Sequence, residues 1–203
     1  MVDEQKLREN LAKTCALLQR EGLAPGTTGN ISARLPGEEL CIIKPSGFCL
    51  GDLKPEHFLL VDIQTRKVVK GDRKPSIETP FHTTIYEVRK DAGSIVHVHA
   101  HYATVLSILD IPIEPYTTDI WEAPKLRKGI AIAPYASPGT EDLARNLGDA
   151  LRNCDAALMP HHGITTIGDT PETASRNAIV LERIAKIQYH AMLLGKPKKI
   201  PYS

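Results

Sequence analysis

The sequence predicts a layered α+β fold, and three observations point to it. Strand-like runs follow one another directly around a tight turn, helix-like segments stand apart with their own start and stop signals, and no Gly-x-Gly-x-x-Gly follows a strand. The first two are the pattern of hairpins packed under helices, and the third removes the fingerprint of a dinucleotide-binding βαβ unit. Neither an internal repeat nor a linker-like shift in composition divides the 203 residues, which read as one continuous domain over 1–203.

The first element is a helix over about 4–22, because Leu7, Leu11, Cys15 and Leu18 recur at spacings of three and four and Gly22 offers a stop. ISARL and ELCIIK flank Pro36-Gly37 as the arms of a β-hairpin, and HFLLVDI reads as a further strand. Thr79 followed by Pro80 resembles an N-cap with proline at the first helical position, which makes FHTTIYEVRK a helix. In SIVHVHA the period switches to two. IAIAP and AALMP are short buried-strand candidates, with Thr140 capping a helix over about 141–152 between them. A long last helix starts at Thr170-Pro171 and runs to Gly195, with Ala174, Ile179, Leu181, Ile184, Ile187 and Leu193 among its apolar positions.

Composition narrows the function. Lys and Arg number 25 against 24 Asp and Glu, a formal net charge of +1, so neither a nucleic acid nor an anionic membrane is expected as a partner. Hydrophobic residues make up 42% and charged ones 24%, which is the composition of a folded chain. At this length roughly 70% of the unfolded surface is buried, enough for a core without disulfides. The four cysteines show no Cys-x-x-Cys spacing, and MVDEQKLREN contains no apolar signal segment, so a reducing cytoplasm is the expected location. No apolar run approaches the roughly 20 residues of a membrane helix.

His97 and His99 stand two apart in a strand-like run, so their side chains share a face and both imidazoles can reach one metal ion. Zinc takes nitrogen, sulfur and oxygen ligands in tetrahedral geometry, and a catalytic zinc keeps three protein ligands and an open position. A third ligand is needed, and His82, His101, His161 and His162 are the candidates; His57 and His190 lie in segments with no other metal-ligand type at useful spacing. A strand continued to His101 would carry it about 13 Å from His97 at roughly 3.3 Å per residue, too far to share an ion. His161 and His162 end the run AALMP, where adjacent residues of extended chain point oppositely and one alone can face the metal; His162, next to Gly163, is favoured. Glu78 stands just ahead of a predicted helix, where a carboxylate commonly serves as a first-turn acid against the helix dipole. Beside a metal and shielded from water, the same group would shuttle protons to or from carbon.

Three polar turns, Thr27-Thr28-Gly29-Asn30, Pro45-Ser46-Gly47 and Lys74-Pro75-Ser76, offer hydroxyls, amides and accessible backbone N–H groups. Each alone is a plain turn. Converging on one point, they would cradle a phosphate dianion.

TTGNISAR, IKPSG, KPSIETPFH, IVHVHAHYAT, APYASPGT, PHHGITTIG and the long last helix occur together and in this order. As a set they resemble the class II aldolase/adducin-domain family over most of the chain. The resemblance implies an α/β/α layered fold whose mainly antiparallel central sheet is flanked by helices. It also implies a zinc-dependent lyase, with one Zn2+ per subunit, cleaving a ketose 1-phosphate of the L-fuculose or 5-deoxyribulose type. The products would be dihydroxyacetone phosphate and an aldehyde, formed through a metal-stabilised enediolate. His97, His99 and His162 are implied as metal ligands and Glu78 as the catalytic acid/base. Thr28, Asn30, Ser46, Gly47 and Ser76 fall where the family binds substrate phosphate. Tyr116, in IPIEPY, is similar to a proton donor contributed by a neighbouring subunit of a homotetramer with intersubunit sites.

Two departures from the family pattern stand out. Ser76-Ile77 replaces the two consecutive serines common ahead of the acid in the aldolases, and Ser-x-Glu-Thr is similar to methylthioribulose-1-phosphate dehydratase, the alternative reading beside other family lyases and epimerases. The longer tail that closes the site in some aldolases is not expected after Ser203, which leaves Tyr202 as the residue that could substitute for it. A non-catalytic adducin-like binding module is disfavoured because the histidines and Glu78 are all present.

Overall fold

Across residues 3–201, which the computed structural model describes, five helices and eight strands are formed. In chain order they are α1 (Glu4–Arg20), β1 (Asn30–Arg34), β2 (Leu40–Ile43), β3 (Leu59–Asp62), β4 (Val68–Lys70), α2 (Thr79–Val88), β5 (Ser94–Val98), α3 (His101–Ile108), β6 (Ala131–Ile132), α4 (Glu141–Ala150), β7 (Ala156–Met159), β8 (Gly163–Gly168) and α5 (Pro171–Leu194). Tyr202 lies outside the described residues.

The strands form one sheet in the order β4-β3-β2-β1-β5-β8-β7-β6. Its pairs are antiparallel except β6 with β7. Strand alternation sends Ile31, Ala33, Ile42, Val96, Val98 and Leu158 into a core beneath α1, α3 and α5. The opposite set, Cys41, Ile43, Val61, Ile95 and Ala157, meets Phe81, Ile85 and Tyr86 of α2 and Leu143 and Leu147 of α4 in a second core. Helices therefore cover both faces, and the fold is the α/β/α sandwich that the resemblance implied. Among the described residues no helix is long and apolar enough to cross a membrane.

The helix signals read from the sequence have visible causes. The Thr140 and Thr170 hydroxyls accept from the backbone N–H groups of Leu143 and Thr173 as N-caps of α4 and α5, and Gly195 ends α5. At α2 the cap position belongs to Glu78, one residue before the expected Thr79, and its side chain makes no capping bond. The hydroxyl of Thr79 instead donates to the Ser76 carbonyl at 2.7 Å.

Three elements were not foreseen: β4, β8 and α3. The expected strand through SIVHVHA stops at Val98, and His101 opens α3 instead of continuing the extended run. The N-terminus of α3 has no local cap. Its Tyr102 and Ala103 N–H groups donate to the Glu182 carboxylate at 2.8 and 2.9 Å, a cap supplied from α5.

Candidate active site

The alternation that builds the sheet also builds the site. Asn30 and Ser32 on β1 point to the α2 side, and Asn30 pairs in register with His97 on β5. Gly29, just before β1, has φ +73°, and a Cβ there would come within 3.0 Å of the His97 carbonyl, so glycine is required for the chain to pass that close. On the other flank a Cβ at Gly163 would lie 2.3 Å from the Val98 carbonyl. The absence of a side chain there lets the β7–β8 turn bring His162 against the end of β5.

His97, His99 and His162 meet at this end of the sheet, each offering a ring nitrogen within 4.8 Å of the others. Ring centroids are 5.2 Å apart for His97 and His99, 4.7 Å for His97 and His162, and 5.0 Å for His99 and His162. His99 lies just past the strand, held by its N–H to the Leu23 carbonyl at 3.0 Å. His161 and His162 occupy a turn rather than extended chain. His161 takes a positive φ of 62° and sets its ring against Tyr135, while the His162 N–H donates to the Met159 carbonyl. His101 is exposed, and His82 is buried on α2 without joining the three.

Glu78 is 5% exposed and turns its carboxylate inward, so it is not a helix-dipole acid. Its Oε2 accepts from Asn30 Nδ2 at 2.7 Å and lies 3.3 Å from His97 Nε2, and its Oε1 lies 3.4 Å from His162 Nε2. His97 Nδ1 donates to the Ile164 carbonyl at 3.0 Å, which leaves the Nε2 lone pair facing the cluster. His97 Nε2, His162 Nδ1 and Glu78 Oε1 are buried with no hydrogen-bond partner. Orphaned buried polar atoms at one point are costly unless something else satisfies them. Three imidazoles around such a point, with a carboxylate beside them, fit a divalent cation.

Protonation favours the same occupant. Burial pushes His97 down to about 3 and His162 down to about 4, the charge on neighbouring histidines adding to both, and burial also lowers His99. Glu78 pulls the opposite way on His99 and His162, but desolvation prevails. The rings are neutral at neutral pH and keep their lone pairs. His82 is likewise held well below the ordinary histidine value of 6.5 by burial.

Acid should therefore destabilise the metal-free protein. Below about 6.5 the unfolded chain binds protons that these native rings refuse, so the unfolded state gains, down to about 3 where His97 protonates in place. Urea unfolding of chelator-treated protein is expected to show a midpoint that falls steadily between about pH 7 and pH 4. A flat midpoint would contradict neutral native rings.

The three polar turns converge. Ser46 N–H donates to the Lys74 carbonyl at 2.9 Å and Ser76 N–H to the Lys44 carbonyl at 3.3 Å, with a bridge between Pro45 and Pro75. Lys44 Nζ reaches the Thr27 carbonyl at 3.2 Å and ties in the third turn. Within that cluster the Thr28 hydroxyl and N–H both go to the Pro25 carbonyl, and the Ser76 hydroxyl accepts from the Glu78 N–H. Asn30 is committed to Glu78 and His82. Ser46 and Gly47 sit at the more open edge.

Lys44 is the residue that the sequence reading missed. It is 3% exposed and, among the described residues, its ammonium makes one hydrogen bond, to the Thr27 carbonyl, while burial lowers its pKa. A cation with spare donors at the junction of the three turns is suited to an anion. Its signal was its position inside IKPSG, directly after an apolar run. Tyr116 lies in the loop that follows α3, its N–H donating to the Glu114 carbonyl at 2.9 Å. Its loop is held to α5 by Gln188, which donates to the Pro112 carbonyl and accepts from the Glu114 N–H.

Comparison with known proteins agrees with this architecture. The chain is 34% identical over 195 residues to a 5-methylthioribulose-1-phosphate/5-deoxyribulose-1-phosphate aldolase of Rhodospirillum rubrum, covering 96% of this chain and 86% of that one. It is 36% identical over 184 residues to an L-fuculose phosphate aldolase of Methanococcus vannielii, covering 91% and 96%. A solved L-fuculose 1-phosphate aldolase superposes with a TM-score of 0.88 at 32% identity, over 96% of this chain and 90% of the other. The sequence model of the class II aldolase and adducin N-terminal domain matches residues 9–189, and the chain belongs to that family.

Proposed function

We propose that this protein is a metal-dependent aldolase that cleaves a ketose 1-phosphate of the L-fuculose or 5-deoxyribulose type into dihydroxyacetone phosphate and an aldehyde. The observation that carries the reading is the meeting of three neutral imidazoles and a buried carboxylate beside turns joined by a buried lysine. His97, His99 and His162 would hold the ion, and their all-nitrogen donor set supports zinc. When bound, such a cation supplies Lewis-acid polarisation of the substrate's oxygens.

The remaining work falls to the chain's own residues. Lys44, Ser46, Gly47 and Ser76, with the Thr28 turn alongside, would bind the phosphate and fix the sugar, so that proton transfer becomes effectively intramolecular. As the C3–C4 bond breaks, its electron pair passes to C3 and onward to the adjacent carbonyl, and the C4 hydroxyl becomes the aldehyde as its proton leaves. Glu78 would take up the proton that the C4 hydroxyl gives up and deliver it to C3 through Oε1, the oxygen free of Asn30. Tyr116 of a neighbouring copy would assist the C4 hydroxyl, which requires an oligomer with shared sites, a homotetramer by the family resemblance. Burial of Glu78 keeps bulk water from competing for the proton.

The test is a panel of ketose 1-phosphates incubated with zinc-loaded protein, with dihydroxyacetone phosphate followed by reductase-coupled NADH loss. Release from at least one member is expected. Loss of water from methylthioribulose 1-phosphate, without carbon–carbon cleavage of any member, would make the protein a dehydratase instead.

A further inference from the structure

Behind Glu78, away from the three histidines, polar side chains continue into the core. His82, Ser32 and Tyr86 are each fully buried between β1 and α2. Asn30 Oδ1 contacts His82 Nε2, Ser32 Oγ lies 2.7 Å from His82 Nδ1, and the Tyr86 hydroxyl lies 2.9 Å from Ser32 Oγ. Phe81 stacks on the His82 ring at 4.5 Å and 19°, fixing its plane. The Arg34 guanidinium lies 4.9 Å over the Tyr86 ring and donates to the Tyr86 carbonyl, fixing the far end.

Donor and acceptor chemistry gives this row one direction. Asn30 donates from Nδ2 to Glu78 Oε2, and the same amide therefore turns its acceptor Oδ1 to His82. His82 must then donate from Nε2, and as a neutral ring it must accept at Nδ1, which only the Ser32 hydroxyl can supply. Ser32 has its hydrogen committed to the ring and accepts from Tyr86. Reversing any link turns the Asn30 oxygen toward the Glu78 carboxylate, acceptor against acceptor.

We propose that His82, Ser32 and Tyr86 are positioning residues whose one-way hydrogen-bond chain locks the Asn30 amide, and through it the Glu78 carboxylate, in the orientation that transfers the proton. The proposal rests on the function above in giving Glu78 that proton. It makes Oε2 the anchored oxygen and Oε1 the working one, decided by a hydroxyl at the far end of a buried row.

The experiment combines kinetics with histidine tautomer measurement. Ser32→Ala in the zinc-loaded protein is expected to lower kcat by about tenfold or more, with KM and bound metal within about twofold of the parent. Ser32→Thr, which returns a hydroxyl, recovers most of the rate. Tyr86→Phe, which keeps the ring in the core, lowers kcat in the same sense and carries the test if Ser32→Ala folds poorly. Nitrogen-15 spectra of the metal-free protein should show His82 as the Nε2–H form in the parent and in Ser32→Thr, and as a tautomer mixture in Ser32→Ala. An unchanged kcat in Tyr86→Phe and folded Ser32→Ala, a loss carried by KM alone, or an Nδ1–H form of His82 in the parent overturns the proposal. If the parent cleaves no ketose 1-phosphate, the aldolase reading is what fails, and the tautomer of His82 decides the chain on its own.

Discussion

Glu78→Gln is expected to keep the bound metal and lose about 10²- to 10⁴-fold in kcat, the usual range for removing a general acid/base. The amide is nearly isosteric with the carboxylate and retains an oxygen that can accept from Asn30 Nδ2, so the buried network loses little. The three imidazoles carry their own lone pairs at neutral pH and do not need the carboxylate to hold an ion. What disappears is the oxygen that can take and return a proton in a water-poor setting. Metal analysis beside steady-state kinetics separates the outcomes. Full activity would remove Glu78 from the chemistry, and metal loss in parallel with activity would make it a ligand instead.

His99→Ala should bind the metal at least roughly 100-fold more weakly, since altering only the outer partners of a ligand already costs 10–100-fold. Activity should fall with occupancy. His99 is the informative choice of the three because it is only half-buried, so its ring can go with little damage to the core. His97→Ala would remove a ring from a site with no solvent exposure, together with its bond to Ile164, and would confound metal loss with instability. The measurement is elemental analysis after dialysis against sub-micromolar zinc. A full metal complement in the folded variant would sink the ligand assignment.

Much of the fold could be read locally because its signals are local. The stripe of Leu7, Leu11, Cys15 and Leu18, the caps at Thr140 and Thr170, and the Pro36-Gly37 hairpin depend on residues a few positions apart. The unforeseen α3 shows the limit. HYATVLSI has no capping side chain ahead of it, and the group that satisfies its first N–H donors is Glu182, about eighty residues downstream. Without that carboxylate in view, nothing after SIVHVHA marks His101 as the start of a helix. The turn at His161-His162 was hidden for a similar reason: the positive φ falls on His161, whose ring lies against Tyr135, and not on a glycine that would mark it locally.

By itself the sequence determined the chemistry available: three imidazoles, an acid, three hydroxyl-bearing turns and the caps and stripes that make a layered fold. Tertiary structure decided which of these could act together. It set His162 rather than His82, His101 or His161 beside His97 and His99, turned the Glu78 carboxylate inward toward the histidines, and recruited Lys44 to join the turns. The reason is that periodicity reports only which face a side chain takes along its own element. Distances across β1, β5, α2 and the β7–β8 turn depend on sheet order and register, which arise when the whole chain packs.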